Sequence, residues 1–260
     1  MHKALSALMA LAILPGSQAA LILTSAPAAA NVVFTDDTFN LANYTSSSVF
    51  TSPGTTFTFN QCASCGHPGA GLQLKITFPA GPSSTSAAVG LANNSFSYNP
   101  HTQGAILSID ASVDKNLTDN YPFTAVAGNT FRPLIEQDGN FYLAAIPGPG
   151  VTTPGSTGYN NISKSGLLAS NFLQFDFATG SFLAANPNFD GDPMLFGLAQ
   201  IFSSGTTTVS YTGEADYDNL HLTVVNATPL PAALPLFATG LGALGLFGRL
   251  RRRKAASAAA

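Results

Sequence analysis

Between Asn31 and Ala227 the chain sustains no helical apolar period; apolar and polar residues alternate instead, in short runs separated by Gly, Pro, Asn and Asp. Thr55-Thr56-Phe57-Thr58-Phe59 and Leu72-Gln73-Leu74-Lys75-Ile76-Thr77-Phe78 put every second side chain on one face, the signature of half-buried strands. Further strands are expected at residues 31–35, 87–91, 96–98, 105–113, 172–177, 194–202, 206–211 and 219–225. The clearest hairpin joins residues 130–137 to 140–146 through Asp138-Gly139, a pair that supplies the positive φ angles of a two-residue type I′ turn. Pro133 cannot donate to a ladder, which places it at an edge or a bulge. Residues 147–159, rich in Gly, Pro and Thr, read as a long loop and the most mobile part of the body. About ten to twelve short strands with turns between them predict an all-β fold, an antiparallel β-sandwich of jelly-roll type. No internal repeat is visible, which disfavours a solenoid or propeller.

The two ends differ from this body. Met1-His2-Lys3 precedes the apolar run Ala4 to Leu14, closed by Pro15-Gly16, which reads as a secretory signal helix within residues 1–30. Small residues allow cleavage after Ala19 or before Asn31. Near the other end, Pro231 to Gly248 are uncharged and would span about 27 Å as one transmembrane helix. Arg249, Arg251, Arg252, Arg253 and Lys254 follow, and such a cluster stays in the cytoplasm, leaving the body outside the membrane.

The order Pro229-Leu230-Pro231, apolar helix, basic tail resembles the PEP-CTERM sorting signal, here residues 228–254. The resemblance implies processing by exosortase, a membrane-embedded enzyme. It also implies an exported protein held at the cytoplasmic membrane before processing, then placed at the cell surface or in an exopolysaccharide or biofilm matrix. Leu230 stands where the most common motif has Glu. A plain membrane anchor is the competing reading of the same residues. Within the body, Asp218-Asn219 ahead of Leu220-His221-Leu222-Thr223-Val224 resembles the closing strand of many extracellular carbohydrate-binding or lectin-like sandwiches.

With the ends set aside, residues 31–227 hold Lys75, Lys115, Arg132 and Lys164 against all thirteen Asp and Glu of the chain. Nucleic acid is therefore not an expected partner, since phosphate binding needs clustered cations. Acidity of this degree suits solubility or divalent-cation binding.

Cys62 and Cys65 are the only cysteines. In an exported chain they are expected to form a disulfide, a small loop that stiffens a turn. A redox motif would want a βαβ setting, and a metal site with His67 lacks a fourth local ligand. Asn186 to Asp192 partly matches a calcium loop but lacks its closing Glu and reads as a polar turn. Glu214, Asp216 and Asp218 recur with period two and share one face of an extended strand. They are either an exposed strand end or a structural Ca²⁺ site, with Asp36 or Asp37 brought near from the first strand.

No enzyme is expected. His67, His101 and His221 are scattered, and neither a Gly-x-Ser-x-Gly nor a His-Glu-x-x-His motif occurs. There is no Trp to stack on a sugar; Tyr98, Tyr121, Tyr142, Tyr159, Tyr211 and Tyr217 are the possible platforms. The expectation is an exported structural protein of the envelope or matrix. A carbohydrate-binding or adhesive module is the first alternative, and a polysaccharide-active enzyme the second.

Overall fold

A computed structural model describes residues 31–44, 46–119, 128–144, 155–206 and 208–226. The expected signal helix, transmembrane helix and sorting motif lie outside the described residues, as does Tyr121. The strands belong to one compact unit, Ala29–Thr228.

The strands are β1 (Val32–Asp36), β2 (Ser46–Thr51), β3 (Thr56–Gly66), β4 (Gly69–Phe78), β5 (Thr85–Tyr98), β6 (Ile106–Asp119), β7 (Gly128–Gln137), β8 (Asn140–Ala144), β9 (Gly155–Leu167), β10 (Phe172–Asp176), β11 (Ser181–Leu183), β12 (Met194–Ser204) and β13 (Tyr211–Asn226). They form two antiparallel sheets. The first runs β3-β4-β13-β6-β9 with β1 also on β13, and the second runs β11-β10-β8-β7-β12-β5-β2. The all-β sandwich expected from the alternation is the observed architecture.

Alternation decides which residues meet between the sheets. Leu72, Leu74, Ile76 and Phe78 of β4 and Ile109, Ala111 and Val113 of β6 join Ala87, Val89 and Leu91 of β5 and Phe196, Leu198 and Phe202 of β12 in one core. At about 25 cal/mol per Å² of apolar surface removed from water, this core is the main driving force of the fold.

The second sheet is apolar on its other face too. Leu134, Leu143, Ala88, Ala92, Phe175 and Ala199 form a separate cluster there, packed with Phe50, Phe141, Phe177, Leu195 and Ile201. The β10–β11 hairpin supplies Phe175 and Phe177 to this face. Gly90 permits the close approach, because a Cβ there would lie 2.7 Å from the Phe177 ring and 2.8 Å from Leu134.

Asp138 and Gly139 take φ of 54° and 74° and join β7 to β8 with Gln137 opposite Asn140, as their sequence predicts. Pro133 lies one residue beyond the last β7–β8 pair, Leu134 with Leu143, so its missing N–H falls on an edge.

Three expectations need correction. Residues 155–159 are not loop: β9 starts at Gly155 and pairs along β6 from Asp119 to Ile109. Its side chains are mostly exposed, so backbone pairing rather than an apolar stripe fixes it. Of the strand expected at 206–211, residues 206 and 208–210 are not strand: β12 ends at Ser204, and Tyr211 begins β13. The expected strands at 87–91 and 96–98 are one continuous β5, with its irregularity taken up against Leu195 and Phe196 of β12.

Candidate functional site

The outer face of the first sheet carries the polar chemistry of the domain, and β13 organises it. Tyr211, Ala215 and Tyr217 are buried, as are Leu220, Leu222 and Val224 after a step of three rather than two. The extra residue is a bulge at Asp218-Asn219, where the β6 partners pass from Asp114 to Ser112 and Asn219 takes φ of 52°. β4 pairs with β13 up to Tyr217, and β1 pairs with it from Leu220. The bulge therefore sits in the gap between β4 and β1, and the tip of the β3–β4 hairpin fills it.

Cys62 and Cys65 are disulfide-bonded in that hairpin. Its tip places the His67 backbone N–H against the Asp218 carboxylate, while Asp218 Oδ1 accepts from Asn219 N at 2.8 Å. Asn219 Nδ2 donates to the His67 carbonyl at 3.1 Å and to Asp114 Oδ2 at 2.9 Å. Asp114 Oδ1 accepts from Asn161 Nδ2 at 2.9 Å, and Oδ2 lies 3.5 Å from His67 Nδ1. Asp114 and Asp218 are direct cross-strand partners, an arrangement of like charges that would be unfavourable without these donors. Burial alone would raise the Asp114 pKa, but Asn161, Asn219 and His67 together hold it below its ordinary value.

One rung along, Asp216 lies between Gln73 of β4 and Asn116 of β6, and Glu214 lies opposite Lys75. Gln73 Nε2 donates to Glu214 Oε1 at 2.9 Å and Asp216 Oδ1 at 3.3 Å, and Lys75 Nζ pairs with Glu214 Oε2 at 2.8 Å. Glu214, Asp216 and Asp218 thus share one face, as their spacing predicts. Burial, with Glu214 adding to it, pushes the Asp216 carboxyl up to about 6 against the opposing donors.

Beside these rows stands a pair of rings. The His67 imidazole stacks on Tyr159, whose hydroxyl donates to the Cys65 carbonyl. Burial and the Asp216, Asp218 and Asp114 carboxylates push the Tyr159 phenol up to about 12, so it is a neutral donor at ordinary pH. The His67 side chain is 62% exposed. Of the other candidate platforms, Tyr98, Tyr142, Tyr211 and Tyr217 are buried.

The expected cation ligands do not come together. The Asp36 carboxylate turns inward, accepting from Phe39 N at 2.7 Å, Thr38 N at 3.1 Å and Tyr44 Oη at 2.8 Å, while Asp37 is exposed. Asp216 and Asp218 face the opposite side of the sheet. Among the described residues no three His, Cys, Asp or Glu groups could hold a metal ion. Asn186 to Asp192 is a turn clasped by the Gln137 amide, which accepts from Asn188 N at 2.8 Å and donates to Asn188 O at 3.0 Å and Asp192 O at 2.8 Å.

The histidines among the described residues stay apart: His67 at the hairpin tip, His101 in the short helix α1 (Pro100–Gln103), and His221 exposed on β13. Asp114, Asn116, Asn161 and Asn219 escape a sequence reading because their meeting depends on the β6–β9 and β6–β13 registers. What the face offers chemically is a field of oriented amides, carboxylates and a phenol beside exposed ring surface.

No family model matches the chain, and no curated protein matches it. Among solved structures it is similar to a family 11 carbohydrate-binding module from Clostridium thermocellum in complex with a beta-1,3-1,4-mixed-linked tetrasaccharide. The identity is 14% over 76% of this chain and 96% of that one, with a TM-score of 0.39. It is also similar to the CBM22-1 xylan-binding domain from Paenibacillus barcinonensis Xyn10C, at 7% identity over 77% and 99% of the two chains and a TM-score of 0.31. A structure of infectious bursal disease virus Gx strain is similar at 13% identity over 69% of this chain and 34% of that one, with a TM-score of 0.34.

Proposed function

We propose that this chain is an exported, jelly-roll-type β-sandwich that binds polysaccharide without acting on it, through the outer face of its first sheet. The observation that carries the reading is the Tyr159–His67 stack beside two hydrogen-bonded rows, Asn161-Asp114-Asn219-Asp218 and Asn116-Asp216-Gln73. Sugar hydroxyls need both donors and acceptors held in place, and sugar rings need an apolar or aromatic surface. Asn161 and the His67 ring are exposed, Asn116, Asn219, Gln73 and Asp114 partly so, and the buried Asp216 and Asp218 hold these groups in position from beneath. The mutual hydrogen bonds pre-organise these side chains, so less rotamer entropy is lost on binding. A binding role without catalysis is supported by the separation of His67, His101 and His221.

In this reading the tail at Pro229-Leu230-Pro231 directs the chain to exosortase after export. The acidic body then acts at the cell surface or in an exopolysaccharide matrix. A glycan array probed with the exported protein tests the binding. The expected result is selective retention of one polysaccharide class, and uniform silence across the array, with the protein folded, rejects the reading. Mass spectrometry of the mature protein tests the sorting: a C-terminus near residue 229 is expected, and a chain still ending at Ala260 in a strain with active exosortase rejects it.

A further inference from the structure

The second sheet presents a cation in an unusual setting. Arg132 projects from the outer face of β7, in line with Leu134, and Phe182 of the β10–β11 hairpin covers its guanidinium, with Cζ 5.0 Å from the ring centroid. Its Nε is buried without a hydrogen-bond partner. The ion pairs among the described residues are Lys75 with Glu214 and His67 with Asp114. Among the described residues Arg132 thus has no carboxylate within ion-pair distance. Glu136, on the same face of β7, stands about 13 Å along the strand, and its own Oε2 is buried and unpartnered. A half-buried cation without a counter-ion is costly to hold, and burial depresses the Arg132 pKa accordingly.

We propose that Arg132 and Phe182 form a second binding site, which takes the carboxylate of a uronic-acid unit in an acidic polysaccharide. The planar guanidinium matches a carboxylate with two parallel hydrogen bonds, and a ligand anion supplies the missing charge. Phe182, 40% exposed, offers apolar surface beside it for the sugar ring. The site lies on the opposite sheet from the Tyr159 patch, so one chain can engage neutral and acidic units separately. The polysaccharide class of the ligand rests on the reading above, while the anion preference rests on Arg132 alone.

The test is calorimetric titration of the exported protein with oligogalacturonate, with its carboxyl-reduced neutral form, and with inorganic phosphate as competitor. Tighter binding of oligogalacturonate than of the reduced form is expected. Arg132→Gln should weaken it at least tenfold, Arg132→Lys less, and Phe182→Ala severalfold, with each variant's Tm recorded as the folding control. Equal affinity for the acidic and reduced forms, or unchanged oligogalacturonate affinity in folded Arg132→Gln, overturns the proposal. Phosphate competing as well as galacturonate also overturns it, by marking a general anion site. Loss of acidic binding alone leaves the first-sheet reading standing, and loss of neutral binding alone leaves the Arg132 site standing.

Discussion

The His67 imidazole lies flat against the Tyr159 ring, with centroids 4.8 Å apart and planes 5° from parallel. These residues come from a hairpin tip and an edge strand at opposite margins of the first sheet. Their contact bridges the β13 bulge, where the gap between β4 and β1 lets the hairpin tip reach Asp218. The fold thus brings rings and carboxylates together without a dedicated binding loop.

Asp216 makes stability depend on pH in an uncommon direction. Its folded pKa, about 6, lies above the ordinary 3.8, so the native state holds a proton that the unfolded state has lost. Stability should fall as pH rises from about 4 to about 6. Asp216→Asn should remove that slope and raise stability at pH 7 by on the order of 1 kcal/mol, a figure reduced for solvent screening. Urea denaturation at several pH values checks it, and an unaltered slope in the variant counts against the assignment.

Lys115 has the opposite sign. It lies between the sheets, with Nζ 3.4 Å from Gln200 Oε1 and 5.5 Å from the Tyr217 ring centroid, and burial depresses its pKa from 10.5 to about 7. Between those values the unfolded state binds the proton and the native state does not, so stability should climb with pH by up to about 1.4 kcal/mol per unit. Together the two groups predict a stability minimum between about pH 6 and 7. Lys115→Met should flatten the alkaline limb and leave the acidic one; retention of both limbs contradicts the assignment.

Much of this was legible in sequence. The alternation in Leu72 to Phe78, the Asp138-Gly139 turn and the shared face of Glu214, Asp216 and Asp218 are local properties, and local spacing shows them. β9 was not legible because an exposed edge strand is defined by its neighbour's hydrogen bonds, and Asn161 reaches Asp114 only through that pairing. The direction of Asp36 was hidden for a related reason: its carboxylate is claimed by the backbone N–H of Phe39 and the hydroxyl of Tyr44, contacts of the turn after β1.

Gly90 is required where β5 passes beneath Phe177. Gly90→Val should drive the ring and Leu134 away, at a cost of roughly 1–3 kcal/mol. Thermal unfolding reads this directly, and a wild-type Tm would show that the β10–β11 hairpin is not packed on this face.

Gln137 joins two segments with one amide. Gln137→Leu removes three hydrogen bonds to Asn188 and Asp192, exposed residues whose freed groups can turn to water, which should cost about 1–3 kcal/mol and lower Tm by roughly 3–10 °C. Faster proteolysis within residues 186–192 should accompany it. A variant with unchanged Tm and unchanged cleavage would mean that the turn holds without this clasp.

Sugar binding proposed for the outer face of the first sheet depends on the Tyr159 ring. Calorimetric titration of wild type and Tyr159→Ala with the polysaccharide selected on the array should show a loss of tenfold or more, equivalent to about 1.4 kcal/mol, with the Tm of the variant close to that of wild type. Undiminished affinity in folded Tyr159→Ala would contradict the claim.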